Sequence, residues 1–179
     1  MKRYIAVVTI MMALSCTNAE KKTALSTDSA AVGAEDIKVA SVEFGDQKIQ
    51  SIYNDYIGLK DALVASKYEE AKPAAEKLQV SLSAYKGCEN TALISGKIAD
   101  AKDIATQRKE FTSLSADVIA LFKHTDVKNG SLYVQHCPMA NNGDGGDWLA
   151  SEKKIQNPYY GDEMMECGRV VEEIKTASN

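Results

Sequence analysis

From Ile49 onward the chain repeats an apolar residue every three or four positions, and that period commits most of it to packed helices. Ile49, Ile52, Tyr56, Leu59 and Leu63 form the first stripe, weakened locally by Gly58. Residues at this spacing share one helix face, which must be buried against a neighbour. Ala71, Ala75, Leu78, Leu82 and Tyr85 form the second. Its start is open. Ser66 with Glu69 has the form of a capping box, yet Pro73 would then lie inside the helix and remove a hydrogen bond at a cost of about 3 kcal/mol. The helix either kinks at Pro73 or begins there. Gly87 ends it, and Asn90 or Thr91 can cap a third helix presenting Ile94, Ile98, Ala101 and Ala105. A fourth runs from about Thr106 to Lys123, with Phe111, Leu114, Val118 and Leu121 inward.

Short connections between helices of similar length imply antiparallel neighbours. The expected fold is mainly α: an up-and-down four-helix bundle over 47–126, then an irregular C-terminal tail over 127–179 that ends in a short helix, Arg169 to Lys175. Small residues in the second and third stripes would let those helices approach closely. No stripe carries paired inward carboxylates or a Glu-x-x-His motif, which argues against a di-iron bundle site, so the stripes read as core.

The N-terminus sets the expected compartment. Lys2 and Arg3 precede an apolar run, Tyr4 to Leu14, too short to span a bilayer as a helix. It ends at Ala13-Leu14-Ser15-Cys16, the arrangement of a bacterial lipoprotein signal peptide in which Cys16 carries the lipid. The alternative is ordinary secretion with cleavage near Ala19. Either route exports the chain, as a membrane-anchored lipoprotein facing the periplasm or as a soluble secreted or periplasmic protein. Residues 17–46 are rich in Ala, Ser, Thr, Lys and Glu without an apolar period, and read as a solvated tether. The remaining 47–179 form one domain; about 130 residues sustain one core and hardly two.

A net charge of -4 without a basic cluster argues against a nucleic-acid partner. Of the four cysteines, Cys88, Cys137 and Cys167 remain once Cys16 is set aside. In an oxidising compartment an odd count means one disulfide plus one free thiol, or metal ligation. Cys88 follows a helix-stopping glycine and reads as a small buried residue. His124, at the end of the fourth helix, reads as a partner of the helix dipole.

After Asn129-Gly130 the pattern changes. Leu132, Tyr133 and Val134 form a short extended segment, and Pro138 pushes Cys137 toward an extended conformation as well. Asn141 to Asp147 is a polar turn; its glycines and acidic residues do not fit a calcium loop. Trp148 and Leu149 dock this loop on the helices. Asn157-Pro158-Tyr159-Tyr160-Gly161 makes another turn, leading to Met164-Met165-Glu166-Cys167-Gly168.

Several of these pieces together resemble the bacterial domain-of-unknown-function family numbered 3347. They are Tyr133-Val134-Gln135-His136-Cys137-Pro138-Met139-Ala140, Asp147-Trp148-Leu149, Ile155, Asn157-Pro158-Tyr159-Tyr160-Gly161, and Met164 with Cys167-Gly168. Upstream, Tyr56 with Leu59-Lys60-Asp61-Ala62-Leu63, and Arg108 with Phe111, Leu114 and Ser115, fit the family's helical part. Met165 and Cys88 depart from its pattern. The family is found as small exported proteins and attached to periplasmic adaptor subunits of heavy-metal efflux pumps. The resemblance therefore implies an association with copper or silver handling, with such an adaptor or another pump component as partner.

The residues carry their own chemistry. Thiolate and thioether are soft donors that favour Cu(I), and imidazole accepts copper and zinc. In an extended segment Cys137 and Met139 lie on one side and His136 on the other, so all three converge only if the chain turns at Pro138. Met164 and Cys167 face one way if they share a helical turn. The candidate metal ligands are thus His136, Cys137, Met139, Met164 and Cys167, a sulfur-rich set suited to holding or passing Cu(I) or Ag(I). The alternative is a structural or interaction module whose tail is held by a Cys137–Cys167 disulfide. A thiol enzyme is not expected, since no orienting base accompanies the cysteines and there is no Cys-x-x-Cys pair.

Overall fold

The computed structural model describes residues 41–175. The expected signal peptide, the expected lipidation residue Cys16 and most of the expected tether lie outside the described residues. Within them the chain is about half helical, with four helices and two small antiparallel sheets. Helix α1 (Gln47–Val64) buries all of Ile49, Ile52, Tyr56, Leu59 and Leu63. Asp46 caps it, its carboxylate accepting from the Lys48 amide at 2.7 Å. Helix α2 (Tyr68–Ser83) buries Ala71, Ala75, Leu78 and Leu82, while Tyr85 packs half-buried beyond its end. It starts at neither expected residue. Ser66 sits at φ 55° and its hydroxyl accepts from Arg108, so it caps nothing; the helix runs from Tyr68 straight through Pro73.

Helix α3 (Glu89–Asp100) has Cys88 at its N-cap position, two or three residues before the expected caps. Thr91 is used across the helix interface, its hydroxyl donating to Asp117 at 3.0 Å, and the Ser95 hydroxyl donates to the Ala75 carbonyl at 2.8 Å. Ala101 turns extended and closes α3, which leaves Ala105 exposed at the start of α4 (Ile104–Lys123) instead of in the third stripe. Asp103 caps α4 by accepting from the Thr106 amide, a bond that lowers its carboxyl pKa. Phe111, Leu114 and Val118 are buried as the period requires, but Phe122 takes the inner place and leaves Leu121 half-buried. His124 is the C-terminal cap of α4.

The segments around the helices are more regular than their sequence suggests. Residues 42–46 belong to the folded unit and not to the tether: strand β1 (Glu43–Phe44) pairs antiparallel with β2 (Val127–Asn129). Val42 and Val127 are buried, and Phe44 packs on Tyr53 and Phe122 with ring centroids 5.4 and 5.1 Å apart. The tail is not irregular either. Strand β3 (Ser131–Cys137) lies between β4 (Gly146–Ala150) and β5 (Arg169–Lys175), all antiparallel neighbours. The expected final helix is therefore a strand. Val170, Val171 and Ile174 are β-branched, which suits the pleated surface, and the register Leu132↔Ile174 through His136↔Arg169 gives β5 its hydrogen bonds.

Polar side chains from the helices hold the sheet and its loops. The Tyr56 hydroxyl lies 2.6 Å from Ser115 Oγ and accepts from the Leu149 amide at 3.1 Å. Arg108 donates to the carbonyls of Leu63 and Pro158 and to Ser66 Oγ. Lys60, almost wholly buried, meets Asp61 at 2.6 Å and Glu152 at 3.7 Å. As expected, Trp148 and Leu149 are buried. Tyr159 wedges between Trp148 and Phe111, with centroids 6.1 and 5.8 Å away.

Candidate functional site

Antiparallel pairing sorts the candidate ligands by face. Opposed residues share a side of the sheet, and neighbours alternate. His136 opposes Asp147, and its Nδ1 lies 2.8 Å from the Asp147 carboxylate. Cys137 opposes Gly146 and Gln135 opposes Trp148, on the other face. The segment 152–168 covers that face: Gln135 Nε2 donates to the carbonyls of Glu152 and Lys154, and Gly168 lies over Trp148 and Ile155. His136 is thereby separated from the thiols.

Two apposed turns bring the two cysteines together. In the first, the Ala140 amide donates to the Cys137 carbonyl, so the chain does turn at Pro138-Met139. In the second, the Cys167 amide donates to the Met164 carbonyl at 3.1 Å. This second turn is a tight bend and not a helix, with Met164 at φ -146° and ψ 55°. The two turns place Cys137 Sγ 3.1 Å from Cys167 Sγ, both as free thiols. Cys137 is completely buried, whereas Cys167 is half-buried. The Met139 side chain is 53 % exposed and its backbone N–H points at the Cys167 sulfur. Met164 and Met165 are half-buried.

Asn157 fixes the second turn. Fully buried, it donates from Nδ2 to the Cys167 carbonyl at 3.0 Å and accepts at Oδ1 from the Tyr159 amide at 2.8 Å. Its own amide donates to the Met165 carbonyl. Gly168 completes the fit. It sits at φ 149°, and a Cβ there would lie 2.9 Å from the His136 carbonyl oxygen and 3.0 Å from the Trp148 ring. Only glycine lets the Cys167 turn lie this close on β3. Tyr160, through its hydroxyl on the Met139 carbonyl, ties the two turns to each other. Asn157 and Tyr160 were visible in the sequence only as turn residues, because their partners are backbone groups contributed by distant segments.

The local electrostatics favour the protonated form of Cys167. The hydrogen bond with Cys137, reinforced by burial, raises the Cys167 pKa above its ordinary value of 9.0. Loading a soft metal must therefore release protons. Burial raises the Cys88 thiol as well; it lies in the helical core, as the sequence suggests. Burial likewise holds the Tyr56 and Tyr159 hydroxyls neutral, as hydrogen-bond donors.

Among the described residues no three His, Cys, Asp or Glu side chains converge to hold a metal ion. A metal site here would rest on the two cysteines with thioether help, a donor set for a soft cation. The present separation suits either fate of the pair. A disulfide needs the sulfurs at about 2.05 Å, and a tetrahedral metal about 2.3 Å from each thiolate would set them roughly 3.8 Å apart. Each requires a shift of about 1 Å or less from the 3.1 Å observed. No helix among the described residues is long and apolar enough to cross a membrane.

Residues 52–130 match the model of a family described as "Protein of unknown function (DUF3347)". The match takes in Tyr56, Lys60, Arg108, Phe111 and Ser115, the side chains that pack or hydrogen-bond the helices to the tail. It ends at Gly130, just before β3, so the thiol pair lies outside it. No curated protein is significantly similar to the chain. No solved structure is significantly similar to it.

Proposed function

Taking residues 52–130 as a domain of the DUF3347 family, we propose that this protein is an envelope accessory protein that binds Cu(I) or Ag(I) as cargo. Its role in this reading is to buffer the metal or hand it to a periplasmic adaptor or other component of a heavy-metal efflux system. One observation carries the reading: two free thiols 3.1 Å apart, with methionines in the same two turns. Cys137 and Cys167 are the primary ligands, and Met139 and Met164 supply thioethers. His136 is bound to Asp147 on the opposite face and serves only if β3 rearranges. The basic and apolar N-terminus with Cys16 supports export and lipid anchoring. In this reading the helices, joined by connections of three to five residues, form an up-and-down bundle that carries the sulfur site. No catalytic role is assigned.

The buried position of Cys137 favours a second reading, in which the same pair is a disulfide that only fastens the tail. Titrating reduced protein with Cu(I) against a competing chelator separates the two. One equivalent should bind, and Cys137→Ser or Cys167→Ser should weaken it at least about 100-fold, since a soft cation loses one of two thiolates. Met139→Leu should cost less, about tenfold or below, because a neutral thioether is the weaker donor. Equal affinity in wild type and both cysteine variants would remove the metal reading.

A further inference from the structure

The two sulfurs are close but unequal. Cys137 ends β3, opposite Gly146, with no exposed surface. Cys167 sits at the end of a surface turn and is half-buried. A reagent from solvent therefore meets the Cys167 sulfur first. The two sulfurs lie 3.1 Å apart, within reach of each other once either has reacted.

We infer that Cys137 and Cys167 form a thiol–disulfide exchange site, in which Cys167 takes the incoming disulfide and Cys137 resolves it. The substrate class is an external disulfide R–S–S–R, either an oxidised small thiol or a protein disulfide of an oxidising compartment. The Cys167 thiolate attacks one of its sulfurs, the R–S–S–R bond breaks, and one RS⁻ leaves to collect a proton. The Cys137 thiolate then attacks the Cys167 sulfur of the mixed disulfide, and the second RS⁻ is expelled. The protein loses two electrons and two protons, and the incoming disulfide becomes two RSH. This inference rests on the same cysteine pair as the metal reading and adds that oxidation empties the site of its thiolates. Cys88, buried alone in the helical core, takes no part.

The test uses reduced, metal-free protein and oxidised glutathione, followed by mass spectrometry of acid-quenched samples. Wild type should pass to the Cys137–Cys167 bridged form without accumulating an adduct. Cys137→Ser should stop at a glutathione adduct on Cys167, forming at least about tenfold faster than any adduct on Cys167→Ser. Equal rates for the two variants, or a first adduct on Cys137 or Cys88, would overturn the inference. Should Cys137→Ser fail to fold, reduced wild type with substoichiometric iodoacetamide decides: the first alkylated residue must be Cys167, and a first label elsewhere refutes it. No metal is present, so failure of the Cu(I) titration and failure of the exchange are separate results.

Discussion

Trp148→Ala should lower the stability of the reduced protein by about 3–5 kcal/mol, the usual cost of deleting a large buried aromatic ring. Against a typical total of about 5–15 kcal/mol, this is among the largest effects any single side chain here can have. Trp148 is fully buried and packs on Tyr159, with Gly168 lying against its ring. It shares the face of the sheet that carries Cys137, so the cavity opens beside the thiols. Its indole N–H finds no partner among the described residues. An unsatisfied buried donor costs about 1–3 kcal/mol, so Trp148→Phe, which removes that donor, should be much milder than Trp148→Ala. Urea unfolding measures both. Equal losses for Phe and Ala would mean that the indole nitrogen is well bonded and that the ring's outer half carries the packing.

Oxidising the Cys137–Cys167 pair should raise stability by about 3–4 kcal/mol, the loop-closure value for cysteines some 30 residues apart. For a domain of this size that is a melting-temperature rise of roughly 10 °C. The bridge would close a loop containing β4 and the Asn157 turn. Comparing thermal melts of oxidised and reduced protein checks it, with Cys137→Ser showing no response to oxidation. A metal bound to the native thiols also stabilises, by mass action, but a chelator removes that gain and leaves the disulfide's gain intact. An oxidised form no more stable than the reduced one would show that bridging strains the two turns.

The helical part was legible because its burial is one-sided. In α1 every residue of the stripe from Ile49 to Leu63 is buried, since a helix on a single core must repeat at its own period. Capping and helix starts were less legible. Ser66 and Glu69 match the capping pattern, but a tertiary partner, Arg108, claims the serine and holds it at positive φ. The tail's sheet was hidden for a different reason. In β4, Trp148, Leu149 and Ala150 are all buried, so no alternation marks the strand. In β5, four of the first residues are exposed, so alternation fails there too. Its seven residues were nevertheless a signal, being short for a helix and rich in β-branched side chains. The decisive term is pairing with β3, more than 30 residues earlier in the chain.

The candidate site was half legible. Strand alternation separates His136 from Cys137 as expected, and the sulfurs of Cys137 and Cys167 do meet. The partner cysteine was legible as well: Cys88 read as a small buried residue, which left Cys167 for Cys137. The groups that set the meeting, Asn157 and Gly168, act through backbone contacts that leave no periodic trace.

X-ray absorption at the copper edge of Cu(I)-loaded protein tests the central claim most directly. The proposed function predicts one copper per chain with a first shell of sulfur alone, at least two sulfurs, reduced or lost in Cys137→Ser. A first shell dominated by nitrogen, or a spectrum unchanged by loss of Cys137, would contradict it.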